Sequence, residues 1–252
     1  MRTELTNIIE QAYQVFAPYQ VSKPLDVCTF CCVTKEEEHQ LATLNVRHIP
    51  QQLLHTWNHA AKSERPDPAE FKHFLPRFLD LVSHFDWPSY SVELCLKGFR
   101  DYGPADWTAK EHSLIDAFGR AYFTYCLRSH DLFPGATLDQ IIIMLRPTGL
   151  NLDMCRQAWE SEEHKQAAIH FGLLVPGNIG GGKKGGYRNS FADPELKQKL
   201  SNWITRPKVR AHFCSRLEDI VLNDPELDGD PRAELSLSYE PLPLFSLGRP
   251  VH

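Results

Sequence analysis

The stretch TAKEHSLIDAFGRAYFTYCLRS, residues 108–129, decides the fold class of this chain. It opens on a capping box, because Thr108 stands three positions before Glu111 and each side chain can accept the other residue's backbone N–H. Apolar side chains then recur at helical spacing and form one wide face: Leu114, Ile115, Phe118, Tyr122, Tyr125, Cys126 and Leu127. A face of this kind is typical of a helix that is buried against other helices.

Helical periodicity continues on both sides of this stretch. The same pattern and the same kinds of cap predict helices over residues 3–16, 34–44, 49–62, 91–102, 137–145, 153–171, 193–204 and 207–222. A further helix begins near Asp67, and because Pro76 lies inside it we expect a kink or a break there. The sequence therefore predicts an all-α chain, a single-domain irregular helical bundle.

The C-terminal third differs in composition. Seven of the fourteen glycines lie within residues 172–186, and a helix is not expected to tolerate that density, so we predict a basic glycine-rich loop over residues 172–191. A helical domain over residues 1–222 would then be followed by a proline-rich acidic arm, residues 223–252, in which residues 235–239 form one short strand or stay extended. Residues 176–216 carry a net charge of +7, and the rest of the chain to the C-terminus carries −6.

Composition excludes several classes of protein. The 252 residues are 42% hydrophobic and 23% charged, which is average for a globular chain. The longest apolar runs are far shorter than the ~20 residues that span a bilayer, and the N-terminal residues lack the apolar stretch of a signal peptide. We therefore expect a cytoplasmic protein without a membrane partner. The formal net charge of −5 also disfavours nucleic acid as a partner.

The glycine-rich loop comes close to two phosphate-binding motifs. Residues 180–185 read G-x-G-x-x-G and residues 177–184 read G-x-x-x-x-G-K, but Lys184 stands where a P-loop needs Ser or Thr. The phosphate cradle also needs a helix that begins directly after the loop, and no helix is predicted before Asp193. We predict no nucleotide site. With no G-x-S-x-G motif either, the sequence leans away from an enzyme.

The cysteine motif C-x-x-C-C is the most unusual local feature. Two thiolates separated by two residues can share a tetrahedral zinc ion, and His39 follows seven residues after Cys32. Three interpretations stay open. The cysteines can be packed reduced thiols, they can bind zinc as Cys28, Cys31, Cys32 and His39, or they can form a redox site whose thiol pKa is lowered by the following helix.

Two histidines, His55 and His59, stand four residues apart on a predicted helix, which is a spacing that metal ligands use. Thr56 replaces the glutamate of H-E-x-x-H, so this pair lacks the general base of a metalloprotease. We interpret the pair as a coincidence in a chain with twelve histidines.

Four segments in the first half carry a resemblance: LDVCTFCC (25–32), LLHTWNHAAKS (53–63), FKHFLPRFLDL (71–81) and residues 107–127 with their A-F-x-x-A-Y-F core. Through them, residues 1–130 resemble a family of uncharacterised bacterial proteins associated with polymorphic toxin loci. The resemblance implies a bacterial protein and brings no catalytic residues with it.

Without a catalytic signature, the sequence favours a non-catalytic protein-binding module, and the resemblance suggests an immunity protein that neutralises a cognate toxin. Charge complementarity would steer such a partner to the basic loop or to the acidic arm. The candidate contacts are Lys183, Lys184, Tyr187, Arg188, Asp224, Glu226, Asp228 and Asp230. The alternative is a zinc-binding or thiol-redox protein centred on Cys28, Cys31 and Cys32.

Overall fold

The computed structural model describes residues 2–132, 135–178 and 187–224, with the side chains of residues 175–178 left out. Within these ranges the chain forms ten α-helices, five short 3₁₀ turns and no strand. The helices are α1 (Arg2–Val15), α2 (Lys35–Thr43), α3 (Gln51–His59), α4 (Pro68–Ser83), α5 (Ala109–Arg128), α6 (Leu138–Leu145), α7 (Leu152–Ser161), α8 (Lys165–Asn178), α9 (Pro194–Ile204) and α10 (Pro207–Asn223). The predicted all-α fold is confirmed. None of these helices is both long and apolar enough to cross a membrane.

Local caps set several helix starts where the sequence predicts them. The Thr34 side chain accepts the backbone N–H of Glu37, whose carboxylate accepts the backbone N–H of Thr34, and together they open α2. Thr108 and Glu111 make the same reciprocal pair before α5. Each pair satisfies two donors that the first helical turn leaves without an intrahelical partner.

Helix α4 runs through Pro76 without a break, so of the two predicted outcomes the break is wrong and the kink stays a prediction. Proline removes one backbone hydrogen bond, a loss that tertiary burial can offset. Leu75 and Phe78, on either side of Pro76, are completely buried and hold the helix in the core of its unit.

Three further segments differ from the prediction. Residues 91–102 form 3₁₀ turns rather than one helix, and the predicted helix over residues 153–171 is divided into α7 and α8. Helix α8 then continues through Gly172 to Asn178. The prediction that the glycine-rich loop starts at residue 172 is therefore wrong. Glycine costs a helix about 1 kcal/mol, which the full burial of Phe171 and near-full burial of Leu174 offset. The predicted strand or extended segment near residues 235–239 and residues 225–252 of the predicted arm lie outside the described residues.

The chain divides into two compact units. Unit 1 comprises Met1–Tyr125 and Gln140–Leu152, and unit 2 comprises Cys126–Asp139 and Asp153–His252. In unit 1 the Trp57 ring packs against the rings of Phe74 and Phe78, with centroids 4.8 and 5.8 Å apart. In unit 2 the rings of Phe171 and Phe213 stack at 4.0 Å.

Unit 1 also buries an ion pair. The Lys72 ammonium, on α4, donates to the Glu111 carboxylate at 3.0 Å and to the Tyr19 hydroxyl at 3.2 Å. Burial raises the pKa of Glu111, but hydrogen bonds from the Tyr19 hydroxyl, the backbone N–H of Thr108 and the Lys72 ammonium hold it below its ordinary value. The carboxylate that caps α5 is therefore also the counter-ion of a buried lysine on α4.

Candidate metal site

The cysteine loop, residues 25–34, is closed by its own backbone. The Cys28 carbonyl accepts the backbone N–H groups of Cys32 and Val33 at 3.3 and 3.1 Å. The Cys28 N–H donates to the carbonyl of Ala61 at 2.8 Å, which attaches the loop to the segment after α3. These bonds turn the chain tightly enough to bring the three cysteines together.

Carboxylates from the surrounding helices hold the start of the loop. Glu38, on α2, accepts the backbone N–H of Leu25 at 3.0 Å, and Glu70, on α4, accepts that of Asp26 at 3.0 Å. Asp26 in turn accepts the backbone N–H and the hydroxyl of Ser63 at 3.0 and 2.7 Å. The loop is thus fixed by hydrogen bonds that involve no sulfur atom.

Three sulfur atoms converge in this loop. The Sγ atoms of Cys28 and Cys31 lie 3.5 Å apart, those of Cys31 and Cys32 lie 3.4 Å apart, and all three lie within 4.8 Å of one another. Sulfurs bound to one tetrahedral zinc ion at 2.3 Å are separated by about 3.8 Å. Among the described residues, no other group of three His, Cys, Asp or Glu side chains meets this spacing.

The thiols differ in how readily they lose a proton. Backbone N–H groups of Cys31 and Phe30 donate to the Cys28 sulfur and lower its pKa, because they stabilise the thiolate. Hydrogen bonds from the Cys31 thiol to the sulfurs of Cys32 and Cys28 raise the pKa of Cys31 to about 11, because they stabilise its protonated form, and repulsion between adjacent thiolates acts in the same direction. A bound cation would remove that repulsion and allow all three thiols to ionise.

The sulfur cluster lies at the surface of unit 1. Cys31 is exposed, and Cys28 and Cys32 are half-buried. The Phe30 side chain, between the first two cysteines, is 97% exposed. An ion or a reagent in solvent can therefore reach the sulfurs.

His39 was the predicted fourth ligand, and it does not join the group. Helix α2 begins at Lys35, so His39 falls in its second turn, where its side chain is exposed. The described residues bring together Cys28, Cys31 and Cys32 only.

The histidine pair forms a separate cluster. The rings of His55 and His59 lie 5.0 Å apart, and the exposed ring of Tyr90 packs against both at 4.2 and 4.3 Å. His59 Nε2 lies 2.9 Å from the Ser89 hydroxyl, and partial burial together with the charge of Lys97 lowers the pKa of His59 to about 4. Within the described residues, no third ligand completes a metal site there.

The predicted partner contacts are not assembled into one surface by the described residues. Lys183, Lys184, Glu226, Asp228 and Asp230 lie outside those residues. Tyr187 is only 4% exposed and donates its hydroxyl to Asp139, so we remove it from the predicted contact surface. Asp224 pairs with Lys165 at 2.9 Å, and Arg188 is exposed. The toxin-binding function therefore stays a prediction.

Comparison with protein-family models, with curated proteins and with solved structures finds no match to this chain. The resemblance to an uncharacterised bacterial family also stays a prediction.

Proposed function

We propose that this protein binds a thiophilic metal ion, with zinc as the first candidate, through Cys28, Cys31 and Cys32. The observation that carries the proposal is the convergence of three Sγ atoms within 4.8 Å on one loop. Thiolate sulfur favours soft ions such as Zn²⁺ and Cu⁺ over Mg²⁺ and Ca²⁺. The site would supply three protein ligands.

A comparison within the chain supports an ion over simple packing. Cys95, Cys126 and Cys155 are fully buried, as expected for cysteines that act as small apolar side chains. Burial raises the pKa of Cys95 to about 12, so that thiol stays protonated. Cys31 is exposed and lies against two other sulfurs, an arrangement that packing does not require.

Metal analysis of protein purified without chelator, under reducing conditions, tests the proposal. We expect about one equivalent of zinc per chain, and less than about a tenth of an equivalent for the triple variant C28S/C31S/C32S. The matched control is Cys214→Ser, which removes a half-buried thiol of α10 and should keep the full equivalent. The proposal is contradicted if the wild-type protein holds less than about a tenth of an equivalent of zinc as purified, and still does after zinc is added and the excess is removed.

A second candidate, thiol-redox chemistry, is favoured by the contrast between Cys28 and Cys31. Cys28 carries the lowered pKa of an attacking thiol, and the Cys31 sulfur lies 3.5 Å away, in position to resolve a mixed disulfide. Reaction with one molecule of oxidised glutathione would yield a Cys28–Cys31 disulfide and release two molecules of reduced glutathione. Mass analysis after alkylation should then show this one disulfide. A persistent adduct on Cys28 would contradict the pairing.

A further inference from the structure

We infer that a metal ion in the three-cysteine site keeps an open fourth position, and that the thiolate of a small external thiol, for example glutathione, fills it. The inference rests on the proposed metal-binding function. It names the class of ligand that the loaded site accepts.

The number of protein ligands is the first argument. Zinc in structural sites is held by four protein ligands, whereas sites with three protein ligands leave one position for an exogenous group. Among the described residues, only three side chains reach the required spacing, and His39 is not one of them. The described part of the chain therefore supplies three ligands, which is the number of an open site.

The way the loop is held is the second argument. Structural metal sites contribute the folding energy of the segment that carries them. Here the backbone of Cys28 bonds to Ala61, Asp26 bonds to Ser63, and Glu70 bonds to Asp26, so the loop is ordered by hydrogen bonds. A loop that hydrogen bonds already order favours a site with an exchangeable outer ligand over a purely structural one.

Access and ligand chemistry are the third argument. Cys31 and Phe30 are exposed, so a small molecule can approach the sulfurs from solvent. An ion that already has three thiolate ligands favours another soft donor over a carboxylate. When the external thiol binds, its proton passes to solvent, a water leaves the fourth position and one sulfur–metal bond forms. No electron is transferred.

Cobalt(II) substitution tests this inference, because each thiolate bound to the ion contributes to the sulfur-to-cobalt charge-transfer absorption. The full chain would be loaded with Co²⁺ in anaerobic buffer without thiol and titrated with glutathione. We expect the charge-transfer absorption to rise by about one third, as three thiolates become four. S-methylglutathione is the matched control, since its sulfur cannot become a thiolate, and it should cause no rise.

The outcomes separate the two proposals. No charge-transfer absorption before glutathione is added overturns the proposed metal site itself. If a three-thiolate absorption is present and glutathione leaves it unchanged, only the open fourth position is overturned. The same holds if S-methylglutathione raises the absorption as much as glutathione does. A four-thiolate absorption before any thiol is added also overturns it, because the protein would then supply the fourth sulfur.

Two variants locate the effect. Cys31→Ser, at an exposed position, should lower the charge-transfer absorption before glutathione is added by about one third, because one thiolate is lost. Cys214→Ser should behave as the wild type in every step. If Cys214→Ser abolishes the response to glutathione, the added thiol is not acting at the three-cysteine site, and the inference is overturned.

Discussion

Glu70 joins the core of unit 1 to the cysteine loop, because one of its carboxylate oxygens accepts the backbone N–H of Asp26 at 3.0 Å. The other oxygen accepts the indole N–H of Trp57 at 2.7 Å. Glu70 is 4% exposed, so both bonds are shielded from water. A buried carboxylate between α3 and α4 thus holds the segment that leads into Cys28.

We predict that Glu70→Gln weakens both the fold and the metal site. A glutamine can keep one acceptor oxygen, but its NH₂ group must face either the Trp57 or the Asp26 N–H, and two donors cannot bond. An unsatisfied buried donor costs about 1–3 kcal/mol. Urea unfolding should show that the free energy of unfolding falls by this amount. Zinc affinity should also fall, because the loop is held less firmly.

The control for this variant is Glu64→Gln, which changes an exposed carboxylate near the same loop. It should leave the free energy of unfolding and the zinc affinity close to the wild-type values. Equal stability of Glu70→Gln and the wild type would show that the Glu70 bonds do not support the loop.

Zinc affinity should rise steeply with pH. The metal-bound thiols must be deprotonated, and the pKa of Cys31 in the metal-free protein is raised to about 11. Binding should therefore release about two to three protons per ion near neutral pH. Competition with a chromophoric chelator at several pH values measures this number. Cys31→Ser should release one proton fewer, and an affinity that is constant between about pH 6 and pH 8 would exclude thiolate ligands.

Unit 2 should lose stability in mild acid through His170. Burial lowers the pKa of this histidine to about 4, and its Nε2 lies 3.0 Å from the carbonyl of Ser129. The unfolded chain, with an ordinary histidine pKa near 6.5, binds the proton first. Stability is therefore complete above about pH 6.5 and falls as the pH approaches 4, by about 3 kcal/mol in total.

Urea unfolding of His170→Gln between about pH 7 and pH 4.5 checks this sign, since glutamine can keep the hydrogen bond to Ser129 but does not titrate. The variant should lose less stability than the wild type over that range. His212→Gln, an exposed position on α10, should follow the wild type. Parallel curves for wild type and His170→Gln would contradict the assignment.

Gly98 should not tolerate a side chain. A Cβ atom at this position would lie 2.6 Å from the Phe71 ring, which is 2% exposed and packs edge-on against Phe99. Overpacking of this kind costs about 1–3 kcal/mol. Gly98→Ala should lower the free energy of unfolding by that amount. Gly103→Ala should not lower it, because the nearest atom to its Cβ would be Asp106 Oδ2 at 3.8 Å, an ordinary contact distance.

The buried pair Lys72–Glu111 predicts a large effect of a single change. Lys72→Met leaves the Glu111 carboxylate buried without a cation, which costs about 3–5 kcal/mol. Arg120→Met breaks the exposed pair with Asp116 and should cost less than about 1 kcal/mol. Chemical denaturation of both variants measures the difference. If both variants lose similar small amounts of stability, the hydrogen bonds from backbone donors are enough to stabilise the buried Glu111 carboxylate.

The sequence by itself determined the features that depend on neighbouring residues. Thr34 and Thr108 mark their helix starts because a cap involves residues only three positions apart. The convergence of Cys28, Cys31 and Cys32 is equally local, since one tight turn brings them together.

Only the tertiary structure decided the features that depend on distant contacts. Phe85 occupies the left-handed position after α4, with a φ of 62°, where glycine is usual, and its ring stacks on Tyr125 at 5.8 Å. Burial carries α4 through Pro76 and α8 through Gly172, although both residues are unfavourable in an isolated helix.

The features of the three-cysteine site also divide into those set by neighbouring residues and those set by distant contacts. The motif C-x-x-C-C predicts the three sulfurs, but the acceptor that orders the loop, Glu70, lies 44 positions away from Asp26 along the chain. Tyr187 likewise looks like a surface residue in a basic loop until its hydroxyl is found on Asp139. Local chemistry is readable from spacing, whereas burial is set by which distant segments pack together, and a single sequence does not contain that pairing in readable form.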